Sequence, residues 1–174
     1  LRLLDVANNM SGVLLAGMLL SFFSKHLKDK NTLLQIIKLC NKILLPFALL
    51  MMLICFHYGQ EIFQLIYHKN QDYDNIILGT IMAAFVFYCC LYIYSTLLTA
   101  NSNINTLLKI SAIAVVINIT GNIILIPQLN IIGAAITHTV TIAFVAIACI
   151  IQSNKIFNIK FMNWQDLIQY LTYA

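Results

Sequence analysis

The sequence predicts an all-α protein, a polytopic bundle of transmembrane helices, and three observations carry that prediction. Apolar residues make up 61% of the chain and charged residues only 9%, whereas soluble globular chains carry about 25% charged residues. Too little polar surface remains to face water, and the mean hydropathy is +0.87. The apolar residues also fall in continuous runs of about 20, and at about 1.5 Å per helical residue each run matches the hydrocarbon layer of a bilayer. Strands of a membrane barrel would instead alternate apolar and polar residues over about 10 positions, which these runs do not do.

Taken in order, the runs give five spans. The first covers 5–24 and ends at the polar cluster Lys25-His26-Leu27-Lys28-Asp29-Lys30. The second covers 36–58 and contains Pro46, whose missing N–H predicts a kink near Asn41–Lys42. A short amphipathic stretch, 61–67, leads to the polar loop 68–72. The third span, 76–100, closes at Asn101-Ser102-Asn103. The fourth, 106–126, is expected to stop at Pro127, and the fifth runs over 131–152. Residues 1–152 thus form the transmembrane bundle. Residues 153–174, with Lys155, Lys160, Trp164 and Asp166 among apolar neighbours, read as a cytoplasmic or interfacial tail approaching a further span. The chain opens at Leu1 inside sequence that already reads as helical, with no recognisable signal peptide, as a fragment of a longer protein would.

Orientation follows from the basic residues. With the inter-helix regions assigned alternately to two sides, one side collects Lys25, Lys28, Lys30, Lys38, Lys42, Lys109, Lys155 and Lys160, and the other only Arg2 and Lys69. Cytoplasmic loops carry the excess of Lys and Arg, so the 25–42 region and the C-terminal tail are expected in the cytoplasm. The net charge of +4 therefore reports topology, and no nucleic-acid partner is expected.

Polar groups inside a span need a partner or a cavity, because the hydrocarbon core offers no water. Asp5, Asn8, Asn9, Gly12 and Ala16 share one face of the first span by the i, i+3/i+4 rule. In the third span Tyr88, Tyr92, Ser95 and Thr99 align; in the fourth, Ser111, Asn118 and Asn122; in the fifth, Thr137, His138 and Thr141. Such stripes suit a bundle around a hydrated cavity. They equally suit helix–helix contacts, where small and polar residues let backbones approach, and Asn118, Gly121 and Asn122 fit that packing role. Tyr92 and Tyr94 read either as cavity residues or as an aromatic belt near the cytoplasmic interface. His138 is a buried, satisfied histidine or a proton-coupling group. Arg2 and Asp5, at the outer end of the first span, suit a cavity charge pair or interfacial anchors. The candidate substrate or cavity residues are therefore Arg2, Asp5, Asn8, Tyr88, Tyr92, Asn118, Asn122 and His138.

No enzyme chemistry is expected. The sequence shows no glycine-rich phosphate loop, no paired carboxylates within a span and no His/Glu metal spacing, so no cofactor or metal is assigned. Cys40, Cys55, Cys89, Cys90 and Cys149 all fall in or beside apolar runs and read as small apolar fillers.

Four stretches carry a family resemblance: Leu1-Arg2-Leu3-Leu4-Asp5-Val6, Tyr94-Ser95-Thr96-Leu97-Leu98-Thr99-Ala100-Asn101, Asn118 to Pro127 (NITGNIILIP), and Ile131-Ile132-Gly133-Ala134-Ala135-Ile136-Thr137. In order and spacing they resemble the C-terminal half of bacterial polysaccharide-biosynthesis membrane proteins of the O-antigen flippase type, in the multidrug/oligosaccharidyl-lipid/polysaccharide exporter superfamily. The resemblance covers Leu1 to about Gln152. It implies five spans of the second six-helix bundle of a MATE-like flippase in the bacterial inner membrane. The implied activity moves an undecaprenyl-pyrophosphate-linked oligosaccharide repeat unit between leaflets by alternating access, for O-antigen or capsule synthesis, with a proton or cation as coupling ion. It further implies that cationic and polar cavity residues hold the substrate, with Arg2 and its partner Asp5 the contribution of this chain. Rival readings are a multidrug/cation antiporter or lipid II flippase of the same superfamily, and a membrane-embedded glycan polymerase or ligase, which the short outer loops disfavour.

Overall fold

The structure, a computed structural model, describes residues 17–27, 29–67 and 74–158. Among the described residues it is helical throughout, without strands. Residues 17–26 form α1. They are followed by α2 (Lys30–His57), α3 (Gly59–Tyr67), α4 (Asp74–Ala100) and α5 (Ile104–Phe157). Helices α2, α4 and α5 are each long and apolar enough to cross a membrane.

Helix α2 begins several residues before its apolar run because a cap, not hydrophobicity, sets its start. Asp29 sits in extended conformation, and its carboxylate accepts from the backbone N–H of Asn31 (3.2 Å) and Thr32 (3.3 Å) and from the Thr32 hydroxyl. These bonds satisfy donors that the first helical turn leaves open. The Thr32 hydroxyl and then its backbone N–H hold the Asp29 carboxyl below its usual value. A carboxyl depressed in the folded state stabilises that state at neutral pH, and the contribution fades as pH falls through the lowered value. The helix continues on both sides of Pro46.

Among the described membrane-length helices, α4 is the best covered. It packs against α2 and against α5, and among its large apolar residues only Ile76 is exposed. Helices α2 and α5 each keep a broad exposed apolar surface, including Leu39, Ile43, Phe47 and Leu50 on α2 and Val115, Val116, Ile119 and Ile123 on α5. Against the hydrocarbon of a bilayer such a surface carries no penalty.

Helix α5 has 54 residues and would extend about 81 Å if straight, far beyond a bilayer of about 30 Å. It does not run straight. Asn130 takes φ 50° and ψ −127°, the positive-φ conformation of the first central residue of a type II′ turn, where Gly, Asn and Asp predominate. The chain folds back there into limbs 104–129 and 131–157. The expected stop at Pro127 is therefore corrected to a reversal at Asn130. A proline forfeits its own N–H bond to the preceding turn, but the residues after it retain theirs. The helix thus runs past Pro127, and the turn forms where a residue tolerates positive φ.

The limbs lie close together because small residues line the seam. A Cβ added at Gly121 would stand 2.6 Å from Thr137 Cγ2, and one at Gly133 would overlap the Leu125 carbonyl, with the carbonyl carbon at 2.6 Å.

Large apolar side chains form the core at one end of the bundle. Leu19 and Phe23 of α1, Leu33, Ile37 and Leu45 of α2, Ile93, Tyr94, Leu97 and Leu98 of α4, and Ile110, Cys149 and Phe157 of α5 make one buried cluster. That end also carries Lys25, Lys30, Lys38, Lys109 and Lys155. Towards the other end the buried residues are mostly small: Ala48 and Cys55 on α2, Gly79 and Ala84 beside Leu78 on α4, and Gly133 and Ala135 on α5. The five cysteines are free thiols; Cys55, Cys89, Cys90 and Cys149 are buried and Cys40 half-buried.

Candidate functional site

The candidate polar residues on the described helices separate into two groups. Arg2, Asp5 and Asn8 lie outside the described residues.

The first group sits between α4 and the second limb of α5. Tyr88 and Tyr92, one helical turn apart, stack with ring centroids 6.0 Å apart and planes at 26°. The Tyr88 ring also meets the His138 ring at 6.0 Å, tilted by 42°, and the Tyr88 hydroxyl lies 3.4 Å from His138 Nε2. Side chains on a helix lean toward its N-terminus. Tyr88 therefore reaches back along α4 in the direction of the nearby crossing where the Thr139 hydroxyl donates to the Thr80 carbonyl at 2.9 Å. His138 is exposed while Tyr88 and Tyr92 are half-buried, so the group forms one open aromatic and imidazole surface.

The second group lies inside the α5 hairpin. Asn122 Nδ2 donates to Asn118 Oδ1 at 3.0 Å, and Asn118 Nδ2 donates across the seam to Thr141 Oγ1 at 3.3 Å. The Thr141 hydroxyl donates to the Thr137 carbonyl at 2.8 Å, and the Thr137 hydroxyl to the Gly133 carbonyl at 2.9 Å. Thr137 and Thr141 are buried. The polar stripes of the fourth and fifth spans thus face each other: this ladder holds the limbs together, as the packing reading of Asn118, Gly121 and Asn122 anticipates. His138 is one residue further round and points instead to α4, so the polar stripe on the second limb serves two different contacts.

Tyr94 is corrected. It is not an aromatic-belt residue: its side chain is fully buried in the core, and its hydroxyl accepts from Asn41 Nδ2 at 3.1 Å. Asn41 itself is only 4% exposed, and its Oδ1 has no hydrogen-bond partner among the described residues. Spacing alone signals the Asn41 half of this pair. Leu33, Ile37, Asn41 and Leu45 recur every four residues, so an asparagine on that row faces the core together with the leucines and isoleucine. A membrane core then requires a polar partner on the opposing helix.

This arrangement is that of a helical membrane protein. It has helices of membrane-crossing length, polar contacts between them, and an open aromatic and imidazole surface. Among the described residues no group of His, Cys, Asp or Glu could hold a metal ion. The helical architecture agrees with the exporter superfamily, and comparison with known families decides the branch: the family described as Lipid II flippase MurJ matches residues 1–173. The chain belongs to the MurJ lipid II flippase family. No curated protein and no solved structure matches it.

The flippase resemblance read from Leu1 to Gln152 is thus right at the level of a flippase superfamily. Membership of the MurJ family replaces its O-antigen branch, which the match does not support. The MurJ match also extends across 153–173, a segment that hydropathy sets apart from the bundle.

Proposed function

We propose that this chain is part of a flippase that carries lipid II, a polyprenyl-diphosphate-linked glycopeptide, from the inner to the outer leaflet of the bacterial plasma membrane. The MurJ family match over nearly the whole chain carries this reading. The all-helical architecture supports it. A sugar-diphosphate head cannot cross bare hydrocarbon, because unsatisfied polar and charged groups there are costly. The protein's task is to supply a polar path while the lipid tail stays in the membrane, and no covalent bond needs to break.

In this reading the span 5–24 expected from the sequence, α2, α4 and the two limbs of α5 each cross the membrane, with the lysine-rich end in the cytoplasm. The Asn130 turn then lies on the outer side. Arg2 and Asp5 contribute charge to the path, and Asn8, Tyr88, Tyr92 and His138 contribute polar and aromatic surface. Asn118 and Asn122 act indirectly, by holding the α5 limbs in register. Coupling to a proton or cation would act through Asp5 or His138.

The competing reading, transport of an oligosaccharide repeat unit for O-antigen or capsule synthesis, rests on the sequence resemblance alone. One genetic experiment separates the two. The full-length gene is expressed in cells depleted of their own lipid II flippase and, separately, in cells lacking an O-antigen flippase. Growth restored in the first and no surface polysaccharide restored in the second is the expected outcome. The reverse pattern would return the chain to the polysaccharide branch.

A further inference from the structure

Helix α2 carries a row of exposed polar and basic residues outside its buried face. At about 100° per residue, its perimeter divides into three sectors. Leu33, Ile37, Asn41, Leu45, Ala48 and Cys55 are buried and occupy one of them. Leu39, Ile43, Phe47, Leu50 and Ile54 are exposed and occupy a second, largely apolar sector. The third contains Asn31, Gln35, Lys38 and Lys42, which are all exposed and fall within about 60° of one another around the axis. Further along α2 the same sector carries the exposed Leu53 and Phe56, so the polar row is confined to the first half of the helix, where it stands beside the exposed Leu39 and Ile43.

The row also has a defined register along the membrane normal. Helix α2 has 28 residues, about 42 Å, against a hydrocarbon thickness of about 30 Å. With its His57 end at the outer boundary, the inner boundary falls near Lys38, and Lys42 lies about 6 Å inside it. The long lysine stem lets both ammonium groups rise to the level of the lipid phosphates. Gln35 and Asn31 stand about 5 and 10 Å further out, on the cytoplasmic side. No Asp or Glu occurs on α2, and the nearby Asp29 carboxylate is engaged by Asn31 and Thr32 at the cap. The lysines are therefore left to an anion from outside α2.

Resting on the flippase reading above, we propose that Lys38 and Lys42 form a capture site for the diphosphate of the lipid-linked substrate on the cytoplasmic side, with Gln35 and Asn31 contacting the polar head beyond it. Two ammonium groups one turn apart offer up to six N–H donors to adjacent phosphates, and such charge-assisted bonds are the stronger kind. The amides continue the row past the phosphate level. That extension matches a head group carrying sugar and peptide, and exceeds the reach of a glycerol head.

The test uses the full-length protein in nanodiscs, with undecaprenyl diphosphate, lipid II and phosphatidylglycerol as separate probes. Lys38→Gln with Lys42→Gln should weaken undecaprenyl diphosphate binding on the order of tenfold and leave phosphatidylglycerol binding within about twofold. Lys38→Arg with Lys42→Arg should restore most of it. Gln35→Ala with Asn31→Ala should weaken lipid II while sparing undecaprenyl diphosphate, which has no sugar or peptide. Unchanged diphosphate binding in the Lys→Gln protein, with its fold intact by circular dichroism, would overturn the proposal. So would equal losses for phosphatidylglycerol, which would make the row a general anionic-lipid contact. Failure of the unsubstituted protein to bind lipid II would instead remove the flippase reading on which the proposal rests.

Discussion

Gly133→Val is expected to force the two limbs of α5 apart, and it should be among the most destabilising single substitutions in the chain. A Cβ at this position would overlap the carbonyl of Leu125, which is backbone and cannot rotate away. The limbs must separate along the seam, and the Asn118–Thr141 bond, already 3.3 Å long, would be lost with them. Overpacking of this kind costs about 1–3 kcal/mol, and occasionally more. We place Gly133→Val at the upper end, at about 3 kcal/mol, because the obstacle is main chain.

Gly121→Ala should cost less, since its obstacle is the Thr137 methyl, a side-chain group that can shift. Gly17→Ala is the control: nothing lies within 4 Å of a Cβ there, and alanine is the better helix former by about 1 kcal/mol. Thermal unfolding of the detergent-solubilised protein checks the order. Equal stability of the Gly133 and Gly17 variants would mean that the limbs are not packed through this glycine.

The second large effect concerns Tyr94. Truncation to alanine removes a fully buried ring from the centre of the lysine-end core, and large aromatic-to-alanine changes cost about 3–5 kcal/mol. The hydroxyl contributes a smaller share. Tyr94→Phe strands the Asn41 amide in a buried site, at about 1–2 kcal/mol by the scale of interhelical hydrogen bonds in membranes. Adding Asn41→Leu should recover much of that loss, because removing both partners also removes the unpaired Asn41 Oδ1. A double-mutant cycle on the same unfolding signal measures this. Strictly additive losses would show that the α2–α4 contact does not depend on this bond.

These two sites also show where the sequence speaks and where it is silent. The helices are legible because continuous apolar runs of bilayer length admit few other structures. Their ends are less so, since hydrophobicity locates the membrane-embedded part while caps locate the helix. Asp29 starts α2 within a polar segment, and Asn130 rather than Pro127 turns the chain because the turn needs positive φ. Partners of polar residues are the least legible. Periodicity places Tyr94 on a helix but does not say that α2 brings an asparagine against it, and the asparagine–threonine stripes of α5 do not reveal that they face one another.

The family branch is hard to read for a related physical reason. The most specific stretch, Asn118 to Pro127 followed by Ile131 to Thr137, is largely the hairpin seam: Gly121, Gly133 and Ala135 for close approach and Asn118 and Thr137 for the ladder. Such residues report a shared fold more than a substrate. Substrate choice belongs to the residues that meet the head group beyond the shared diphosphate, among which we place Gln35 and Asn31.

The most direct test of the lipid II reading is transport itself. The full-length protein is reconstituted into vesicles carrying fluorescent lipid II on one leaflet, and appearance of label on the other leaflet is followed with a membrane-impermeant quencher. Protein-dependent movement of lipid II, exceeding that of an undecaprenyl-diphosphate-linked O-antigen repeat unit, is the result predicted. Movement of the O-antigen unit with lipid II left in place would contradict it.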